Sequence, residues 1–183
     1  MKHHIAIMVG SQREGSKNQL LSQAIQSEFA SGFTMAPVNG MTDLPLYSQD
    51  LEAEGIPDLV QVMASQVRQA DGLIIISPEY NYSVPGPLKN QIDWMSRVDD
   101  QPFEDKPISL MSASPSRLGG IRMQMHLRDI FVALGGRLVN RPEVAVAFVR
   151  DRISVDGQIQ HEKTSDIIKS HLKDFKSLIE TVA

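Results

Sequence analysis

The chain has 183 residues, of which 42% are hydrophobic, 22% charged and none cysteine, and its formal net charge is −4. That length supports one compact core and is short for two, so a single domain over residues 1–183 is expected. The missing cysteines exclude disulfides, thiolate catalysis and iron–sulfur ligation, the acidic balance argues against a nucleic-acid surface, and no apolar run approaches the roughly 20 residues of a membrane span.

The N-terminus, MKHHIAIMVG, has no signal-peptide pattern, so a cytoplasmic location is expected. Residues 4–9 (HIAIMV) form an apolar run with β-branched members ending at Gly10, a first strand. Over 17–31, Leu20, Leu21, Ala24, Ile25 and Phe29 recur at helical spacing, and 33–38 suits a second strand. NGMTDLPLYSQDLEAEGIP reads as a long loop of the kind that often carries function. Pro57 opens a helix with Val60, Met63, Ala64 and Val67 on one face. After the turn at Asp71-Gly72, LIIIS is a continuous apolar run, as in a strand covered on both faces.

PEYNYSVPG follows as a loop, and Pro87 suits the first turn of a helix that buries Leu88, Ile92 and Met95. Residues 107–112 predict a fourth strand, 121–134 a helix and 137–147 a fifth strand. RISVDGQIQ predicts a hairpin turning at Asp156-Gly157. A last helix over 162–181 is expected to bury Ile167, Ile168, Leu172, Phe175, Leu178 and Ile179. Strands alternate with helices throughout, which predicts an α/β fold with a parallel sheet between two helical layers. Five strands in this length fit the three-layer, doubly wound, flavodoxin-like order 2-1-3-4-5.

In such a sheet ligands bind beyond the carboxyl ends of the strands, at the switch point between strands 1 and 3. Three unusual loops converge there: GSQREGSKN, SPEYNYS and SASPSRLGG. The first has the glycine spacing of a triphosphate-binding P-loop at Gly10 and Gly15, but Ser16-Lys17 stands where Lys-Ser/Thr is needed. Ser16 suits an N-cap, with Gln19 at capping-box spacing. Ser11, Ser16 and Asn18 offer short donors, and Arg13 offers a fork for phosphate oxygens. This set suits a phosphate monoester better than a triphosphate; the plain alternative is a capped turn.

The prolines of the second loop restrict its backbone, and Tyr80 and Tyr82 offer planar faces. Either a flat heterocycle or a protein interface fits those features. Ser112, Ala113, Ser114, Gly119 and Gly120 in the third loop permit close backbone approach, or make an ordinary connection. The histidines show no metal-ligand spacing.

GSQREGSKNQ resembles the GSxRxxSxN loop of the NAD(P)H-dependent FMN reductase family, and SPEYNYSVPGPLKNQIDWMSR resembles its PEYNxSxPGxLKNxIDW signature nearly letter for letter. Weaker agreement continues through GGIRMQMHLRDI and RPEV. The resemblance implies bound FMN, NAD(P)H as electron donor and a small-molecule acceptor such as a quinone, flavin, azo dye or metal oxyanion. It implies that Ser11, Arg13, Ser16, Asn18 and Gln19 hold the FMN phosphate. Pro78, Glu79, Tyr80 and Asn81 would line the isoalloxazine, and Ser112 and Gly119 would border the ribityl and ring. No acid–base side chain is then essential, since the flavin carries the chemistry. Arg117 is a candidate contact for a phosphate of the reductant.

The family also implies a homodimer or homotetramer, with Trp94, Met95, Met123 and Met125 as candidate contacts or core residues. The chain departs from the family at Ile153-Ser154, where an aromatic-Asp pair is common. The rival reading is a flavodoxin-type electron carrier with no small-molecule substrate, a class usually far more acidic than this chain.

Overall fold

The computed structural model describes residues 2–182. Strands β1 (His3–Val9), β2 (Phe33–Pro37), β3 (Gly72–Ile76), β4 (Pro107–Ala113) and β5 (Arg137–Leu138) lie in the order β2-β1-β3-β4-β5, all parallel. The order is the one expected from the alternation of elements. The connecting helices are α1 (Lys17–Glu28), α2 (Gln49–Glu54), α3 (Asp58–Gln69), α4 (Gly86–Met95), α5 (Ile121–Ala133) and α6 (Glu162–Val182).

The strands are apolar on both faces because both faces are covered. Leu73 and Ile75 of β3 join one core with α3, α4 and α5. Ile74 and Ile76 join the other with α1 and α6. β1 splits in the same way, Ala6 and Met8 to the first core, Ile5 and Ile7 to the second. Trp94, Met95 and Met123 are core residues, whereas Met125 is half exposed.

Several elements differ from expectation. Residues 39–57 contain a 3₁₀ turn at Met41–Asp43 and the short α2, capped by Ser48 Oγ accepting from Leu51 N at 3.2 Å. No residue of α2 is buried, so it carries no apolar stripe to announce it. The hairpin at 152–160 reduces to a turn closed by a single antiparallel bridge, Ile153 to Ile159. Ile167 faces solvent, while Ile168, Leu172, Phe175 and Ile179 are buried as expected and Leu178 partly so.

The predicted fifth strand is broken. β5 and β6 (Val144–Val146) both pair with β4, and residues 139–143 bow out opposite Ser109 and Leu110. Pro142 lies in that bow, where it has no N–H to give to a ladder. The wholly buried His171 fills the break. Its Nδ1 donates to the Pro142 carbonyl at 2.6 Å, and its Nε2, 2.8 Å from Ser109 Oγ, accepts the serine proton. A carbonyl can only accept, so Nδ1 carries a proton, and burial disfavours a second proton on Nε2.

Burial holds His171 below its ordinary value of 6.5; the Arg128 charge acts the same way, while the Pro142 carbonyl and Asp174 oppose it. Below 6.5 the unfolded chain takes up a proton that the folded chain resists. Stability should therefore decline as pH falls through that value and level off once the folded imidazole titrates. Urea midpoints between neutral and mildly acidic pH check this. His171→Gln should show a shallower decline, and an unchanged profile in that variant would assign the acid sensitivity to other groups.

Candidate active site

The carboxyl ends of β1, β3 and β4 bring the three loops together, and each is tied down by contacts distant in sequence. At the first loop, Gly10 N donates to the Ile76 carbonyl at 2.9 Å, and a Cβ on Gly10 would lie 2.3 Å from Ser77 Oγ. Only glycine lets β1 leave the sheet this close to β3. Ser16 caps α1, its Oγ accepting from Gln19 N at 3.4 Å. The capping box is half made: the Gln19 amide donates to the Ser11 carbonyl at 3.0 Å and so closes the loop on itself.

Asn18 is buried and doubly bonded to Ala113, Oδ1 accepting from its N–H at 2.9 Å and Nδ2 donating to its carbonyl at 3.0 Å. This clamp fixes the start of α1 against the end of β4. The exposed Arg13 folds over its own loop, donating to the carbonyls of Glu14 and Gly15 at 3.2 and 3.3 Å. The amides of Lys17 and Asn18, first in α1, have no backbone acceptor among the described residues. With Ser16 Oγ accepting, its proton is also free for a ligand oxygen.

In the second loop Tyr80 and Ser83 exchange backbone bonds, Tyr80 N to Ser83 O at 3.0 Å and Ser83 N to Tyr80 O at 2.9 Å. Asn81 and Tyr82 form the tip with φ of 47° and 67°. Two residues in the left-handed region are what a type I′ turn requires, and outside glycine that conformation costs energy. Arg122 lies 3.9 Å over the Tyr82 ring, a cation–π contact that helps hold the tip. Tyr80 and Tyr82 both keep exposed ring surface. Pro78 and Glu79 are partly buried at the mouth of β3.

Glu79 has a role that its neighbours in sequence do not reveal. Its Oε2 accepts from the amides of Arg122 and Met123 at 3.1 and 3.4 Å, and its Oε1 lies 3.4 Å from the Arg122 guanidinium. It thus caps α5, whose own N-cap is Gly120 and offers no side chain. The second and third loops are locked together by this carboxylate.

The third loop uses its small residues to approach protein. A Cβ on Gly119 would meet the Ala145 backbone at 2.6 Å, and one on Gly120 would meet Ser112 at 2.9 Å. Ser112 is fully buried beneath α5, and its Oγ accepts from Gln124 Nε2 at 2.7 Å. Gln124 also donates to the Val144 carbonyl at 2.9 Å, joining α5 to β6. Its signal in the sequence is a polar residue among the buried positions Met123, Leu127 and Phe131 of α5. Ser11, Ser16, Asn18 and Ser112 are all buried where the three loops meet, while Arg13, Tyr80, Asn81 and Tyr82 stand exposed beside them.

Among the described residues no group of three His, Cys, Asp or Glu is disposed to hold a metal. The Glu79 carboxylate is engaged as a cap. What remains are free amides and a hydroxyl at one end and planar faces with unpaired tip amides at the other. The donor set at α1 fits a phosphate monoester, and the tyrosine turn fits the edge of a flat ring, as FMN presents them.

A doubly wound parallel sheet with these two loops at its switch point defines the class of flavodoxin-like FMN-binding proteins. The chain matches the NADPH-dependent FMN reductase family over residues 3–151, and it belongs to that family. It is 37% identical to a quinone reductase of Escherichia coli (strain K12) over 183 residues, covering 99% of this chain and 97% of the relative. It is 35% identical to a 2-hydroxy-1,4-benzoquinone reductase of a Burkholderia species, covering 96% and 95%. Among solved structures it resembles FerB, a flavoenzyme NAD(P)H:(acceptor) oxidoreductase of Paracoccus denitrificans, with a TM-score of 0.88, 30% identity and 98% of both chains covered. The protein is an FMN-dependent NAD(P)H oxidoreductase, and the reading as a carrier without its own substrate is set aside. Among the described residues no helix is long and apolar enough to cross a membrane.

Proposed function

We propose that this protein, as a single domain, reduces quinones with NAD(P)H in the cytoplasm. The observation that carries the reading is the meeting of two features at the β1–β3 switch point. One is the set of unpaired donors at the start of α1; the other is the left-handed turn of Asn81 and Tyr82 after β3. Bound FMN supplies two-electron transfer between a nicotinamide and an acceptor. The protein's residues bind and orient. Ser11, Ser16 and the first amides of α1 take the FMN phosphate, with Arg13 swinging from its own loop carbonyls to add charge. Asn18, Gln19 and Ser112 hold the walls that bear those donors. Pro78, Glu79, Tyr80 and Asn81 offer backbone groups to the ring edge, and Gly119 keeps the opposite wall thin. Quinone acceptors are supported by the quinone reductases among the relatives.

Arg13→Ala should weaken FMN by about 10- to 100-fold, the loss of a charge-assisted bond of about 1.5–3 kcal/mol. Fluorescence titration of the apoprotein measures it, and an unchanged affinity would remove Arg13 from the site. Turnover of NADPH and NADH against benzoquinones, free FMN, azo dyes and metal oxyanions tests the acceptor; no quinone turnover by the yellow protein would sink the quinone assignment.

The protein also works as a homodimer or homotetramer in this reading. Support comes from Tyr80, Tyr82 and Met125, which expose apolar surface on the second loop and α5. A monomeric mass by light scattering would overturn it.

A further inference from the structure

The strand carboxyl ends gather more positive charge than one FMN phosphate uses. Arg13, Lys17, Arg117 and Arg150 all lie there, and among the described residues none has a carboxylate within ion-pair distance. Arg122 and Arg137, by contrast, are paired with Glu79 and Asp105. Unpaired cations collected at one end raise the local concentration of anionic ligands.

Two of the four share a cavity. Lys17 and Arg150 line an open pocket of about 500 Å³ with Ser154, Asp156 and Gln160. Its walls are fixed. The segment bearing Arg150 is bonded to the third loop, Phe148 N to the Ser116 carbonyl at 3.2 Å and Val149 N to the Ser114 carbonyl at 3.1 Å. The turn at 153–159 is closed by its bridge and seated on α1, where Gly157 leaves little room above Leu20 and Gln23. Lys17 is the first residue of α1, directly after the loop that takes the FMN phosphate.

Resting on the assignment of FMN to that loop, we propose that Lys17 and Arg150 form a second anion subsite, which takes a phosphate group of the nicotinamide dinucleotide. Arg150 provides a bidentate fork and Lys17 a point charge. Ser154 and Gln160 provide neutral hydrogen bonds, and Asp156 an acceptor for a ribose hydroxyl. That mixture suits a nucleotide better than an inorganic ion. Two phosphate sources share the chemistry, the 2′-phosphate of NADPH and the pyrophosphate common to NADPH and NADH.

The test uses the FMN-loaded protein and the variants Arg150→Gln and Arg150→Lys, which change an exposed side chain outside the loop that takes FMN. Binding of 2′,5′-ADP and of ADP-ribose is measured by calorimetry, Michaelis constants for NADPH and NADH by turnover, and FMN affinity by titration. Arg150→Gln should weaken nucleotide binding by about tenfold with FMN affinity unchanged, and Arg150→Lys should recover part of the loss. Loss confined to 2′,5′-ADP and NADPH identifies the 2′-phosphate; loss with ADP-ribose and both reductants identifies the pyrophosphate. Either supports the subsite. Unchanged nucleotide binding, or an equal loss of FMN, overturns it. Wild-type protein that takes up no FMN would instead sink the cofactor assignment beneath it.

Discussion

Gly119→Ala is expected to cost about 2–5 kcal/mol of stability and to weaken FMN binding with it. The residue has φ of +63°, a left-handed conformation that costs an L side chain about 1–2 kcal/mol. The added methyl would also lie 2.6 Å from both the carbonyl carbon and oxygen of Ala145. Those are backbone atoms of the strand that pairs with β4, so they cannot yield as a flexible side chain would. The third loop must move away from β6, and the start of α5 moves with it. Glu79 spans that junction, so the displacement should reach the second loop. Urea unfolding measures the first effect and FMN titration the second. A variant as stable as the parent would show that the loop relaxes without strain, contrary to the packing described.

Trp94→Ala should cost about 3–5 kcal/mol, the range for emptying a large aromatic site in a core. Trp94 is completely buried, and its ring meets Tyr47 edge-on at 5.2 Å. Its Nε1 donates to the Pro45 carbonyl at 2.8 Å, a bond that ties the 39–57 segment to α4. Removing the indole leaves a cavity and takes away one of the two donors to the Pro45 carbonyl. Asn90 holds the same segment, donating to Pro45 O at 2.9 Å and accepting from Tyr47 N at 2.8 Å, so the segment should loosen without detaching completely. Trp94→Phe should recover much of the packing but not the hydrogen bond. Equal midpoints for the phenylalanine and alanine variants would assign the whole effect to the lost bond.

The sequence was most legible where structure follows from local pattern. The LIIIS run, the helical spacing in 121–134 and the glycine at position 10 needed no partner to be read. Position 16 shows how a local rule reaches function: a serine there caps the helix and frees its proton, where a triphosphate site would need lysine. The second loop was legible as constrained and aromatic, but its left-handed tip was not. Asn81 and Tyr82 keep that conformation only because the Tyr80–Ser83 bonds and Arg122 hold it.

The sequence by itself determined the alternation of strands and helices, hence the parallel order and the switch point, together with the two motifs that place the chain in its family. These depend on periodicity, chirality and short-range turn chemistry, all written within a few neighbouring residues. Only the tertiary structure decided that Asn18 clamps a strand end 95 residues away and that Glu79 caps a helix 43 residues on. It alone split the edge strand around His171 and gathered Lys17 and Arg150 into one pocket. Those outcomes depend on which polar groups are left unpaired once the sheet is assembled, and that is settled by packing between distant segments rather than by the pattern within any one of them.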